Sequence, residues 1–512
     1  MTDSIEIANF HESSNIVSEP MYQKVEFLEL PDTNNSNYTG GQLMFNNDSQ
    51  SKNWTVWSES YLRLPLQVTF PDSASAGRIA VKNSLGSLLQ GLMVKSSNGT
   101  ILVNEQDGSL PIVANMNLLI DSSIDFINSN GLMYFGKDVD QENSALGSAL
   151  TVPVGAVRPT NSSGLGLPSQ DFFRCQALAS RISILATQAS APTATGVGTI
   201  HTQSFVSYIP LKFIHSFFRV LDFPIPNLNL RLTFNISGCG TFASQYMPWS
   251  THARPAHKAF KYADGAVDAV AAGTQPVITR TDISQQVVDR RGANHTPMLF
   301  LKTITWSGKD GMAAAARLVE DKKTLTYTVS DYYKTNQFSS GSSITWPIVN
   351  GVVRPTRLWV FPLPVDTLTK TDNAFPASIG PNYLQNTQIM LNGNAFYTNK
   401  FDNQYQLYKE FETQLIGAGS SKSISTPISY NDFLCGVNPY VFDLSRNPTV
   451  QSDTSCIIVL KSDVLVSATA AKIATAFDLT AVIERLQTMT LKIKDGGVEV
   501  LVKEGSDSSA LA

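Results

Sequence analysis

The chain has 512 residues, a formal net charge of −4 and only 16% charged side chains, well below the roughly 25% of an average soluble domain. This length is too great for one small hydrophobic core and predicts two or more domains. The chain has no long Lys/Arg run that could bind the phosphate groups of a nucleic acid, so we expect no direct contact with nucleic acid. No apolar run approaches the roughly eighteen residues of a membrane span, and the polar N-terminus lacks the features of a secretion signal. We therefore expect a soluble protein that is not secreted.

The cysteines exclude two common kinds of site. Cys175, Cys239, Cys435 and Cys456 are far apart and form no CxxC pair, so zinc ribbons and thioredoxin-type redox sites are unsupported. We expect four reduced, mostly buried thiols. A disulfide stays open, because sequence spacing does not determine connectivity.

Alternation with period two dominates the chain. In Tyr61–Phe70 the apolar residues occupy the even positions, while Arg63 and Thr69 fall on the other face. Leu228–Ile236 and the segment 324–330 repeat this pattern. A helix would scatter such residues around its axis, whereas a strand places them on one face. These segments are therefore predicted to be half-buried antiparallel strands.

Other segments predict central strands, a hairpin and short helices. The apolar runs Arg357–Phe361 and Cys456–Leu460 lack alternation and predict central strands covered on both faces. Asp-Gly at 495–496, between two alternating segments, predicts a hairpin. Two short helices are predicted, at Pro210–Leu221 and Gly311–Glu320. The stretch Ala468–Leu486 is ambiguous between helix and strand.

Two regions interrupt the strands and suggest the domain organisation. Residues 143–199, rich in Ser, Ala, Gly, Thr and Pro, predict a long loop insertion, and residues 242–295 predict a junction between two domains. Many strands with few helices predict an all-β protein of two consecutive eight-stranded jelly-roll β-sandwiches, with long loop insertions. The predicted parts are an N-terminal arm at 1–21, a first jelly roll at 22–241, the junction at 242–295, a second jelly roll at 296–503 and a C-terminal tail at 504–512.

A weak internal repeat in the sequence supports duplication of one unit. Asn98-Gly99 follows the strand ending at Phe70, and Asn392-Gly393 follows the strand ending at Pro364, with equal offsets (98 − 70 = 392 − 364). In both places the Asn-Gly pair lies between apolar segments, as in a hairpin turn. The spacing predicts equivalent hairpins in the two units.

Signatures of catalysis are mostly absent. The chain has no HExxH, no P-loop and no GxSxG motif. His252 and His257 are five residues apart, but no Cys or carboxylate stands near them at ligand spacing, which favours a plain loop over a metal site. The acidic run 138–143 lacks the glycine and the later Glu of an EF-hand loop, which favours a solvated loop. We predict no catalytic, cofactor-binding or metal-binding residues and no cofactor.

Three segments resemble a known protein family. Phe205–Phe234 reads FVSYIPLKFIHSFFRVLDFPIPNLNLRLTF: a strand, a short helix, a Pro-flanked turn and an alternating strand. It resembles the end of the first jelly roll in major capsid proteins of virophages, polinton-like viruses and their relatives, the adenovirus-like capsid lineage. Asn386–Leu415 resembles the strand, Asn-Gly turn and polar helix of their second half, and Ile428–Arg446 resembles their closing segment.

The resemblance implies a structural protein rather than an enzyme. A double jelly-roll major capsid protein forms pseudo-hexagonal homotrimeric capsomers that tile an icosahedral virus shell against neighbouring capsomers. Its location is then the virion, after assembly inside the host cell. Its further partners are a penton protein at the fivefold vertices and minor or cement capsid proteins, and contact with an inner membrane stays open.

Two other classes of protein remain as alternatives. A virion spike or carbohydrate-binding β-sandwich protein predicts a shallow aromatic and polar ligand patch. A β-sandwich glycoside hydrolase needs two carboxylates about 5 to 10 Å apart in a cleft. Such enzymes line their clefts with aromatic side chains, whereas Trp54 and Trp57 are explained more simply by packing in a core or an interface.

Overall fold

The computed structural model describes residues 22–33, 42–47, 54–70, 79–81, 89–105, 109–114, 201–226, 228–236, 249–251, 287–288, 294–320, 323–339, 341–364, 384–402, 404–417, 440–447, 450, 455–464, 476–494 and 497–504. The predicted arm at 1–21, the insertion at 143–199 and the tail beyond Glu504 lie outside these residues, as does most of the stretch 242–295.

The first unit is a sandwich of two antiparallel sheets, whose strands are numbered along the chain. One sheet contains β1 (Tyr22–Pro31), β3 (Trp54–Phe70), β7 (His201–Pro210) and β13 (Met298–Trp306) in the order β1-β13-β3-β7, with β8 (Ile225–Pro226) paired to β3. The facing sheet contains β2 (Gln42–Asn46), β5 (Gly91–Ser96), β6 (Ile101–Glu105) and β9 (Leu230–Asn235) in the order β2-β9-β5-β6. Two short pairs, β4 (Ile79–Val81) with β10 (Trp249–Thr251) and β11 (Val287–Val288) with β12 (Asn294–His295), lie outside both sheets.

The second unit repeats this architecture. One sheet contains β14 (Lys323–Ser339), β16 (Pro355–Pro364), β19 (Tyr440–Asp443) and β21 (Ala476–Lys494) in the order β14-β21-β16-β19, with β22 (Gly497–Glu504) paired to β21. The facing sheet contains β15 (Ser343–Val352), β17 (Leu384–Leu391), β18 (Asn394–Ala395) and β20 (Cys456–Val464) in the order β15-β20-β17-β18.

The same pairing order defines both units. If the eight sandwich strands of each unit are counted along the chain, one sheet has the order 1-8-3-6 and the other has the order 2-7-4-5. Each unit is therefore an eight-stranded jelly roll, and the predicted all-β double jelly-roll fold is confirmed. The equal offsets in the sequence mark equivalent positions. Phe70 and Pro364 end the third strand of their units, and Asn98-Gly99 and Asn392-Gly393 form the turn between strands four and five.

The predicted boundary between the units is wrong. Strand β13 was expected at the start of the second jelly roll, yet it is the eighth strand of the first, paired with β1 and β3. The stretch 242–295 therefore leads from the seventh strand of the first unit to its eighth. Its Ala/Gly-rich composition resembles a linker, but composition does not reveal where the chain returns to a sheet. The connection between the units is instead the short segment from Ser307 to residue 322.

The described residues contain one 3-10 helix, Leu444–Arg446, and five α-helices: α1 (109–114), α2 (Leu211–Ile214), α3 (Ser216–Val220), α4 (Gly308–Glu320) and α5 (Gln404–Gly417). The predicted helix Pro210–Leu221 is broken at His215, whose extended backbone ends α2 and begins α3. The predicted hairpin at 495–496 is confirmed by the pairing of β21 with β22. The described part of Ala468–Leu486 is strand β21, and Cys456–Leu460 alternates in burial rather than being covered on both faces.

Each sandwich has its own hydrophobic core, and the two cores are joined by long strands. Near its N-terminal end β14 contributes Tyr327 to the first core, and β21 contributes Met489 and Leu491. Further along the same strands, residues such as Val482 and Ile483 of β21 belong to the second core. The paired strands β14 and β21 therefore pass from one core into the other.

Candidate functional site

The described residues contain no cluster of the metal-binding kind. No group of three or more His, Cys, Asp or Glu side chains among them is arranged to hold a metal ion. The candidates weighed in the sequence, His252 with His257 and the acidic run 138–143, lie outside these residues. Trp57 and Trp359 are fully buried, one in each core, as expected for packing side chains rather than a cleft lining.

The helices in the described part of the chain are all too short or too polar to span a bilayer.

The junction between the jelly rolls is densely packed and hydrogen-bonded. Helix α1 lies between the cores: Leu110 packs in the first, and Ile112 and Val113 pack in the second. The hydroxyl of Tyr327 on β14 donates a hydrogen bond of 2.8 Å to the Leu102 carbonyl of the first unit. Its ring meets that of Phe217 edge-on at 5.2 Å. Burial of this kind holds two units as one body.

A buried acid–base pair lies at the first unit's side of this junction. Glu105 at the end of β6 accepts a hydrogen bond of 3.1 Å from the Ser109 hydroxyl at the start of α1. His215 is fully buried, and its Nδ1 accepts the backbone N–H of Phe217 at 3.1 Å. The ring hydrogen is therefore on Nε2, which lies 3.2 Å from the second carboxylate oxygen of Glu105. The imidazole therefore bridges the start of α3 and the carboxylate of Glu105.

A second buried carboxylate lies across the junction. Glu484 on β21 is 2% exposed, and its Oε2 is 2.6 Å from Arg357 Nε on β16. At this distance the carboxylate and the guanidinium form a buried ion pair. Burial raises the pKa of Glu484; the charge of Arg357 opposes this effect and the charge of Glu105 adds to it. Two buried carboxylates thus lie near the junction, Glu105 beside His215 and Glu484 beside Arg357.

The outer face of the first sheet carries four neighbouring aromatic side chains and one arginine, which we call the aromatic face: Phe27, Tyr61, Tyr208, Phe300 and Arg63. Phe27 and Tyr208 are exposed, Tyr61 and Arg63 are half-buried and Phe300 is buried. The Tyr61 ring stacks on Phe300 with centroids 4.8 Å apart and meets Phe27 at 5.3 Å and Tyr208 at 5.9 Å. The Arg63 guanidinium lies 5.2 Å from the centre of the Phe300 ring, at cation–π distance. These rings come from four neighbouring strands and form one continuous surface.

Part of this face is apolar and exposed to solvent. Phe27 is 47% exposed and Tyr208 is 38% exposed, and Val25 further along β1 is 51% exposed. Contiguous exposed apolar surface on a soluble protein marks a contact with a protein, ligand or membrane. Aromatic side chains and Arg are the types enriched where one protein binds another. The arrangement is therefore suited to binding rather than to chemistry.

Sequence reasoning missed both the aromatic face and the buried acid–base group. A signal for the first was available, since Tyr61 shares the otherwise polar face of its strand with Arg63. Nothing in the sequence pairs Glu105 with His215, 110 residues away. A single buried His is more often a core residue than a functional one, and only the fold brings these side chains together.

No protein-family model and no curated protein matches the chain. Solved structures do. A chain in the structure of the Sputnik virophage is 14% identical, aligns with a TM-score of 0.60 and covers 98% of this chain and 92% of its own length. PBCV-1 VP54 is 9% identical and aligns over 96% of this chain and all of its own length, with a TM-score of 0.47. The Faustovirus major capsid protein is 8% identical and aligns over 94% of this chain and 93% of its own length, with a TM-score of 0.42. The first of these likenesses shows a common fold along nearly the whole chain.

Proposed function

We propose that the chain is a major capsid protein, with a structural and not an enzymatic role, which forms pseudo-hexagonal homotrimeric capsomers of an icosahedral virus shell. The observation that carries this proposal is the pair of complete jelly rolls with the same strand order, held as one body by a buried junction. Two similar units in one chain give a trimer six similar sides, which is what a sixfold lattice position requires. The likeness in fold to a chain of the Sputnik virophage over nearly the full length agrees with this role.

Self-association is the partner class that the surface favours. A ring of three copies buries the same two patches on every chain and leaves none open. The aromatic face, with Phe27 and Tyr208 exposed on its two opposite edge strands, is one such patch. Apolar contacts of this kind are not screened as surface charges are, so the trimer is expected to persist in moderate salt.

The remaining partners follow from the same role. Neighbouring capsomers meet at the outer sides of the trimer, a penton protein fills the fivefold vertices, and minor or cement proteins contact the capsomers. The location is the virion, with assembly inside the host cell. The insertion at 143–199 is proposed to lie at the capsomer top or at chain–chain contacts, because long insertions between strands are carried on the outside of a rigid scaffold.

Light scattering on a sizing column, followed by electron microscopy, tests the proposal. We expect a particle of three times the 55.7 kDa of the chain that remains intact at micromolar concentration, with a pseudo-hexagonal outline in projection. A well-behaved monomer under these conditions contradicts the proposal.

The second candidate function is carbohydrate binding, as in a virion spike or lectin-like protein. The exposed rings of Phe27 and Tyr208, which flank the half-buried ring of Tyr61, favour it, because sugars stack on aromatic faces. It predicts a monomer or small oligomer that is retained on a glycan array and loses this retention on Tyr208→Ala. A trimer that binds no glycan would leave the capsid role as the remaining one of the two candidate functions.

A further inference from the structure

The first strand of each jelly roll lies at the edge of its sheet, and in the second unit this edge is capped from within the chain. The Ser216 hydroxyl of α3 donates a hydrogen bond of 2.9 Å to the Thr328 carbonyl of edge strand β14, and the Thr328 N–H donates back to the same oxygen at 3.3 Å. The adjacent rings of Phe217 and Tyr327 meet edge-on. The helix that follows strand six of the first unit therefore covers strand one of the second.

The register of the two sheets identifies the residue of β1 that corresponds to the capped residue of β14. Arg63 and Arg357 lie equally far from the ends of their third strands (70 − 63 = 364 − 357). The ladders run from Arg357 across β21 to Ser330 on β14, and from Arg63 across β13 to Pro31 on β1. Two positions earlier in each first strand, Glu29 of β1 is therefore the counterpart of the capped residue.

This part of β1 is open to solvent. Glu29 is exposed, and Phe27 and Val25 on the same face of the strand are 47% and 51% exposed. β1 is ten residues long, and a long edge strand with exposed apolar side chains is a ready template for contact with another chain. The strand that is capped in the second unit thus has an uncapped counterpart in the first.

The second unit has its own element in the position of α3. In each unit strand six leads into a helical turn: β7 is followed by α2 and α3, and β19 is followed by the 3-10 helix Leu444–Arg446. Ser445 is exposed, and the Arg446 side chain is 45% exposed. A guanidinium has several N–H donors, so Arg446 can bind the carboxylate of Glu29 while it keeps its bond of 3.0 Å to Asp443.

We propose that the open edge of β1 receives the 3-10 helix Leu444–Arg446 of a second copy of the chain. The contact between chains then repeats the contact that α3 makes with β14 inside the chain. Each copy offers one open edge and one unused helical turn, so the contact is heterologous and all such surfaces are buried when the ring closes. The inference rests on the self-association proposed above, and it adds which two surfaces meet and in which direction.

The test compares variants at corresponding positions of the two first strands. Phe27 on β1 and its counterpart in register on β14, Thr326, are both exposed. We expect Phe27→Asp to convert the trimer to a monomer in analytical ultracentrifugation. Thr326→Asp is the matched control and should leave the trimer intact, because its strand is already capped within the chain. Ser445→Arg should also produce the monomer, although this residue lies in the other unit.

Hydrogen exchange provides a second measurement, which also decides the question if the Ser445→Arg protein does not fold. Between the native trimer and the Phe27→Asp monomer, amides of both β1 and the 3-10 helix should lose protection, while those of β20 stay unchanged. Loss of protection at β1 alone, or a Ser445→Arg protein that remains trimeric, overturns this inference and leaves the trimer itself standing. A native protein that is monomeric contradicts the proposed function instead, so the two failures are distinguishable.

Discussion

The junction can be probed most directly at Tyr327, whose side chain comes from the second unit and is buried in the core of the first. It is 2% exposed, its hydroxyl donates to the Leu102 carbonyl at 2.8 Å and its ring meets Phe217 at 5.2 Å. Truncating a buried aromatic side chain to Ala costs about 3 to 5 kcal/mol. Removing only the hydroxyl leaves a buried carbonyl without its donor, which costs about 1 to 3 kcal/mol. We therefore expect Tyr327→Phe to be mildly and Tyr327→Ala to be severely destabilising.

Urea unfolding at fixed protein concentration measures both values, and hydrogen exchange reports the two cores separately. Because the side chain belongs to one unit and packs in the other, Tyr327→Ala should weaken protection in both cores together. Tyr405→Ala is the control, since Tyr405 on α5 is 52% exposed and should change stability by no more than about 0.5 kcal/mol. A cost below about 1 kcal/mol for Tyr327→Ala, or loss of protection in one core alone, would refute a shared junction.

Three further outcomes are expected. Phe27→Asp on the aromatic face should shift the particle from trimer towards monomer in light scattering while the far-ultraviolet circular dichroism stays unchanged; an unaltered trimer excludes this residue from the contact. Gly99→Ala and Gly393→Ala should each lower the free energy of unfolding by about 1 to 2 kcal/mol. Both residues have positive φ (87° and 83°) with open space around them, so the cost is backbone strain rather than a clash. Clearly different losses of stability in the two variants would argue against equivalent turns. Asp331→Asn, which breaks a partly exposed pair with Arg485, should cost no more than about 1 kcal/mol in urea unfolding; a cost of several kcal/mol would show that the pair is effectively buried.

Local sequence patterns predicted most of the strands, because alternating apolar and polar residues indicate a strand with one face buried against a core. Leu230, Leu232 and Phe234 are buried on β9 as their spacing requires, and Gly311–Glu320 lies within a helix. The Asn-Gly turns were recognisable because the positive φ at such positions favours those residues. Periodicity is thus a reliable guide to which face of a strand is buried.

The pairing of strands could not be predicted in the same way. The apolar run Met298–Leu301 in β13 indicates a buried strand, but its partners β1 and β3 lie more than two hundred residues earlier in the chain. The sequence therefore placed this strand in the wrong unit. The continuation of β14 and β21 through two cores was also missed, because each core contains only a part of these strands and local periodicity does not show which core a segment joins.

The long strands β14 and β21 also reduce the structural role of the covalent connection between the units. Strand β21 contains 19 residues, a length of roughly 60 Å at about 3.3 Å per residue, and its ladder with β14 underlies both cores. The jelly rolls are thus joined twice, by helix α4 in the chain and by side chains of the second unit packed within the first. Only the second of these joins has to resist separation. A backbone cut within α4 should leave two fragments that still fold and migrate as one particle, and that helix is the natural place at which to open the chain for a circular permutation.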